Sequence, residues 1–459
     1  MKQPNKSLKL LALCVLALTS LTSNAYYDSN TKQTLFRVGS LFPQEKNSPP
    51  VAQFSTDKTH YRIGEPIEYL DLSYDPELDG IHSSWEGKEK AYFTPGDHVV
   101  TLIVKDDKGG ISKPYSKTIK VDQEVFTSQE QYPFYFGALT GDPNSVPVDL
   151  EDFEKYPILM PTENIPKNRK LIVSNDPEIF ADYGLLYKER ITGKARLYAT
   201  HVNGMKKEAQ ISVLATNPTQ SPVKIHITHK GEVEPSKFPG LLGNEALVQW
   251  FANGKTNEDL VINPGESIIY YQSPVLTPEQ GIHIIQDIEV EGGVVFSFIS
   301  ADPKKELTIS ELKPFPRKRD VRGTYDTSEF QWIIDAKQAK GKPWRLVIGN
   351  DSQWVPGIDA LSGSMEKNVG NYGIFYNITI FHPGKAAIAI VPRGGSVKGP
   401  LLMNNKITLV PSSGVVTPGT AYIIGRTTGN EEQIQFTTCP PSGSSLPYDI
   451  FFYPLDDRK

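Results

Sequence analysis

The chain has 459 residues, which at ~100–200 residues per domain points to roughly two to four domains. Its 36 glycines and 36 prolines favour many short strands joined by turns, and 38% hydrophobic residues can bury real cores. A formal net charge of -5 excludes a nucleic-acid protein built on a broad basic face.

In chain order, Lys2, Lys6 and Lys9 precede an apolar run from Leu10 to Leu18, and Ser23-Asn24-Ala25 places small residues at a cleavage position. This layout predicts a secretory signal peptide over 1–25, because the run is shorter than the ~20 residues that span a bilayer. No later stretch is apolar enough to cross, so no transmembrane segment is expected in the mature chain. Cys14 leaves with the signal and Cys439 remains alone, so the exported protein has no internal disulfide and must hold together by packing. That habit fits a Gram-positive bacterium, with the protein secreted and extracellular or associated with the cell wall.

Residues 26–48 are polar and aperiodic, which predicts a linker that Pro49-Pro50 closes. From Val51 onward, period-two alternation separated by turn clusters predicts a small antiparallel β-sandwich. Its runs include Pro66–Leu72, His98–Val104 and Ser116–Val121. Ser73-Tyr74-Asp75-Pro76-Glu77-Leu78-Asp79-Gly80, then Trp85, then Thr94-Pro95-Gly96-Asp97 running into Lys105-Asp106-Asp107-Lys108-Gly109 resemble a PKD domain over about 49–122. The resemblance implies an immunoglobulin-like sandwich of bacterial surface proteins and secreted hydrolases, with a spacing or adhesive role. Glu86-Gly87-Lys88 stands where many members carry Gly-Asp-Gly, so a turn built on that motif is in question here. Asp75, Glu77 and Asp79 alternate through one turn and are candidate Ca2+ ligands, since hard cations take six to eight oxygens. The competing and preferred reading is an acidic turn in which Asp and Pro set the backbone.

A second β-rich module is expected over 126–312, with a loop-rich opening at 142–168. In it Ala209, Ile211, Val213 and Ala215 alternate with polar residues as a half-buried strand does. One segment, Asn244 to Phe251, predicts a short helix with Asn244 as N-cap and with Leu247, Trp250 and Phe251 on one face. Two prolines followed by Arg317-Lys318-Arg319-Asp320 predict a linker over 313–320. A C-terminal β-sandwich is expected over 321–459, with the strand around Ile374–Phe381 central because both of its faces are mostly apolar. The fold class is therefore all-β: three tandem β-sandwich modules with one short helix in the second.

Arg322-Gly323-Thr324-Tyr325, Gly370-Asn371-Tyr372-Gly373-Ile374-Phe375-Tyr376 and Pro392-Arg393-Gly394-Gly395 make the remainder similar to a poorly characterised extracellular region of Firmicutes proteins. That region is sometimes found with copper amine oxidase N-terminal-like (stalk) domains, which implies location and not activity.

Catalytic templates are not met. His226 and His229 are three apart on a strand and point to opposite faces. Four S-x-x-K matches lack a helix, and Gly394-Gly395-Ser396-Val397-Lys398-Gly399 misses the nucleophile elbow. Asp149, Glu151, Asp152 and Glu154 crowd a loop, whereas glycoside hydrolysis needs two acids fixed ~5–9.5 Å apart in a cleft. Aromatic residues are the suggestive class: Trp344, Trp354 and Tyr372 lie near turns, where exposed rings can stack on sugars. The competing reading puts such tryptophans in the core. The expectation is a non-catalytic binding or scaffolding protein of a bacterial envelope, engaging glycan or a surface protein. The alternatives are a secreted polysaccharide hydrolase with an accessory PKD-like module, and a structural spacer.

Overall fold

A computed structural model describes residues 24–28, 33–37, 47–306 and 312–457. The expected signal peptide lies outside the described residues, apart from its last two positions. The chain divides into two compact units at Thr140 and Gly141.

In the first unit, Asn24–Asp28 pairs antiparallel with Gln33–Arg37, so the expected linker contains a hairpin. Beyond it lies the expected sandwich. A four-stranded sheet in the order His60–Ile63, Tyr115–Val125, Gly96–Asp106, Ile81–Glu86 faces the short pair Phe54–Thr56 and Tyr69–Asp71. Alternation puts Val100, Leu102 and Val104 inside with Ile119 and Val121, against Phe54 and Tyr61. Trp85 packs at the margin of this core, its ring 4.9 Å from Phe54, while the Lys88 ammonium sits 4.0 Å from the ring centroid. Gly87 resolves the turn in question. It has φ +71, and a Cβ there would meet the Val99 carbonyl oxygen at 2.4 Å. The unit runs past the expected boundary at 126. The Phe126 amide donates to Ile63, Lys90 donates to the Ala138 carbonyl, and the helix Tyr132–Phe136 buries Tyr132 against Phe93.

The second unit is made of three sheets. The largest has eleven strands and is spanned by two long antiparallel partners, Gly184–Asn203 and Gly281–Ala301. Their register breaks at Ile191/Gly193, opposite Gly292-Gly293, and there the sheet folds over on itself. Gly193 (φ +75) and Gly292 (φ +94) accept the conformation that the fold-over needs. One half carries Val223–Glu232 and Lys255–Ile262, and the other carries Gln210–Thr216 and Ser267–Gln272. Between them lies a core of Ile211, Val213, Ile225, Ile284, Phe296 and Phe298. The other two sheets form a second sandwich. Six strands run in the order Thr162–Asn164, Glu329–Asp335, Phe375–Phe381, Gln433–Thr438, Gly399–Met403, Lys406–Val410. Five face them in the order Trp344–Ile348, Tyr448–Pro454, Ala386–Pro392, Thr420–Arg426, Ser145–Pro147. Phe375–Phe381 is central as expected, but only one of its faces is closed: Tyr376, Ile378 and Ile380 are buried, while Asn377, Thr379 and Phe381 are half-exposed.

The all-β class holds, but the expected boundary at 313–320 does not separate two bodies. Ser145–Pro147 and Thr162–Asn164, from the loop-rich opening of the second module, are edge strands of the C-terminal sandwich. Arg322–Tyr325 goes the other way and pairs with Lys170–Ser174. The basic run is anchored too: Arg317 bridges Asp176 and Glu366 at 2.6 Å each. The helix is Pro239–Asn253, longer than expected, with Phe238 and not Asn244 at its N-cap position. Pro at its first turn needs no amide partner, which moves the start back. Leu242, Ala246 and Leu247 bury one face between the two sandwiches, in a core shared with Val173, Tyr198 and Ile285.

Candidate functional site

Trp344 is a core residue. It is 2% exposed and stacks on Phe452 with ring centroids 4.2 Å apart and planes 2° apart, so it is not a ligand platform. Its strand is buried throughout, since the five-stranded sheet presents this position to the sandwich interior. Tyr372 is also committed. Its hydroxyl donates to the Ser444 carbonyl at 2.8 Å, and burial pushes the pKa of the phenol up to about 12. Trp354 differs: it is half-buried, and its ring stacks on no other aromatic ring among the described residues.

The turn beneath Trp354 is built from side chains. Asn350 and Gln353 form a capping box around the 3-10 turn Asp351–Gln353. The Gln353 side chain accepts from the Gly349 and Asn350 amides and donates to Val347. Asn371, at φ +53, donates to the Gln353 carbonyl and accepts the Val355 amide, bracketing Trp354 from both sides. The indole Nε1 donates to Gly349 at 3.3 Å. Both chain neighbours of this tryptophan are hydrogen-bonded into place, so the ring is presented on a braced support.

Trp354 lines a cleft of about 600 Å³, within the ~300–1,000 Å³ typical of ligand sites. Phe330 and Trp332, stacked 5.9 Å apart, form its buried base. Met160 and Ile165, both exposed, line it with apolar surface, and Lys167 and Asp326 add charge to the lining. Glu163 accepts from the Trp332 indole at 2.7 Å, which satisfies a buried donor and fixes the carboxylate at the cleft. Among these residues only Trp354 stands out in the sequence as a candidate ring. The alternation Phe330, Trp332, Ile334 was a usable signal for the base. Glu163 and Lys167 come from the edge strand and its continuation, whose membership of this sandwich no local pattern announces.

The acids of the 149–154 stretch are dispersed into structural tasks. Asp149 caps the helix Leu150–Phe153 by accepting the Asp152 amide, Asp152 pairs with Lys155, and Glu154 pairs with Arg393. Burial pushes Asp449 up against the pull of Arg345 and Arg393, and pushes Glu178 up beside Asp320; neither lines the cleft. The Cys439 thiol is buried and pushed up to about 12, an unreactive state. In the first unit, Asp75 accepts the Glu77 and Asp79 amides at 2.9 and 3.1 Å, and Asp79 pairs with Lys108. Among the described residues no group of three or more His, Cys, Asp or Glu side chains is gathered for a metal ion. Asp75 sets the backbone turn by accepting both the Glu77 and the Asp79 amides.

No family model matches the chain, and no curated protein matches it. Among solved structures, it is similar to the PKD1 domain of Vibrio anguillarum Epp, at 24% identity over 17% of this chain and 99% of that one, with a TM-score of 0.15. It is also similar to carbohydrate-binding modules of the β-sandwich superfamily, at 15% identity over 56% of this chain and 100% of the other, with a TM-score of 0.16. Tripeptidyl peptidase 2 aligns at 9% identity over 88% of this chain and 34% of its own length, with a TM-score of 0.13. Scores this low leave function to the geometry of the site.

Proposed function

We propose that the protein is a non-catalytic binding protein of a bacterial cell surface, and that the cleft beside Trp354 receives a glycan. The observation that carries this reading is one indole ring, braced and unstacked, beside a cleft that also offers Glu163, Lys167 and Asp326. Sugar rings pair an apolar C–H face with a rim of hydroxyl groups, and this surface offers a partner to each. The signal-like N-terminal segment supports the export that this reading needs. The test is retention of the mature protein on immobilised cell-wall and plant glycans, with reducing-end release assayed on the same material. Retention that Trp354→Ala weakens at least tenfold, without sugar release, supports binding. Release that depends on Glu163 or Asp326 supports the hydrolase alternative, and neither retention nor release leaves a spacer.

A further inference from the structure

A second cavity, of about 300 Å³, opens where the helix Pro239–Asn253 meets the outward face of the six-stranded sheet. We propose that it is a carbohydrate site in its own right, one that takes a single neutral sugar ring through its hydroxyl groups.

The floor follows from strand alternation. Phe330, Trp332, Tyr376, Ile378 and Phe436 point into the sandwich, so their neighbours Gln331, Asn377 and Thr437 must point outward. Register aligns these three across adjacent strands, with Asn164 at one edge and Leu402 on the far side. The result is a cross-strand row of amides and a hydroxyl spaced at the ~4.8 Å of neighbouring strands. At the cavity, Asn377 donates to Glu329 at 3.3 Å and accepts from Thr437 at 3.0 Å. Glu329 keeps acceptor capacity beyond that one bond, Asn377 keeps a donor, and Thr437 keeps lone pairs. A pair of neighbouring sugar hydroxyls, each both donor and acceptor, matches this set.

The opposite wall is aromatic, with a buried guanidinium beneath it. Trp250 and Phe251 close one side, with Trp250 stacked between Phe375 at 5.5 Å and His229 at 5.1 Å. Beneath them lies Arg196, 4% exposed and held by both oxygens of Asp287 at 2.7 and 2.9 Å. Its guanidinium already sits 4.2 Å from the Phe375 centroid and 5.2 Å from that of Trp250, so the cation position over these rings is filled. A cationic ligand would meet that charge, and an anionic one would meet Glu329. A neutral polyol meets neither penalty.

This site is independent of the Trp354 cleft. Glu329 and Phe330 are successive residues of one strand and leave on opposite faces, the first into this cavity and the second into the cleft. Two sites on one unit would raise avidity for a polysaccharide without new contacts.

The experiment titrates the full mature chain with methyl glycosides of glucose, galactose, mannose and N-acetylglucosamine, read by saturation-transfer NMR and calorimetry. Glucosamine and galacturonate are the charged controls. The expected result is binding of at least one neutral glycoside, weakened about tenfold by Asn377→Ala and by Thr437→Val. Both positions are half-exposed, so thermal unfolding should be unchanged, and Trp354→Ala should leave this affinity intact. Binding to no neutral glycoside overturns the proposal. So does affinity indifferent to Asn377 and Thr437, or tighter binding of a charged control. A chain that holds polysaccharide through Trp354 yet takes no monosaccharide sinks this site and leaves the cleft reading standing.

Discussion

Replacing Trp344 with alanine removes a ring stacked face to face on Phe452 inside the second sandwich, and should cost about 3–5 kcal/mol of stability by chemical denaturation. Trp354→Ala removes a half-exposed ring and should leave the denaturation midpoint nearly unmoved while weakening polysaccharide retention at least tenfold. The same residue type thus has opposite fates a short distance apart, because one lies on a strand of the sandwich interior and the other follows a capped turn. Two buried histidines make a separate prediction. Burial lowers His201 to about 4 and His283 to about 3, so both are neutral in the folded chain at pH 7. The unfolded chain binds protons at the ordinary value near 6.5, so below that pH it gains protons that the folded chain refuses. Stability is full above that value and drains as pH falls toward 4 and 3, at up to ~1.4 kcal/mol per pH unit for each histidine. Urea midpoints measured from pH 7 to pH 4 should fall accordingly, and a His201→Asn, His283→Gln double variant should show a flatter profile.

At the level of elements, the helix Pro239–Asn253 depends on close backbone approach. A Cβ on Gly243 would stand 2.4 Å from the Ser442 nitrogen, and one on Gly231 would stand 2.2 Å from the Ala246 carbonyl oxygen. Alanine normally favours a helix over glycine by ~1 kcal/mol. Gly243→Ala should nevertheless destabilise, by about 1–3 kcal/mol, because the helix must lift off the second sandwich. A Tm that rises would contradict this packing. Periodicity could place a helix here from Leu247, Trp250 and Phe251, but could not find its first turn. Gly243, which looks like a helix breaker, is needed by the partner surface and not by the helix itself. Likewise Arg317 reads as linker charge in sequence and is a fastener in space. Its partners Asp176 and Glu366 lie far off along the chain, and burial of Asp176 makes the bridge expensive to break. Arg317→Ala should expose 313–320 to limited proteolysis that the parent resists.

For the whole molecule, the all-β class was legible because alternation and turn chemistry are local, and the N-terminal sandwich was legible because its turns and Trp85 fall within one short stretch. Domain limits were not, since strand exchange between the two sandwiches leaves no mark on either segment's own pattern. Residues 141–457 should therefore unfold in a single transition. A fragment of 321–459 alone, stripped of two edge strands, should be insoluble or unfolded by circular dichroism. Two well-folded halves would refute the interleaving. The cleft was legible only at Trp354, because its other residues are brought together by that same exchange.

The interleaving also sets an order of events. Val146 finds its neighbour at Ala421, and the Trp344–Ile348 strand waits for Tyr448–Pro454. Neither layer of that sandwich can close until the final strands have been synthesised. The Val146–Ala421 pairing joins residues far apart along the chain, and such topology folds slowly. That sandwich therefore stays unclosed through most of the chain's synthesis, its early edge strand and its middle strands holding exposed hydrogen-bonding edges until the last strand arrives.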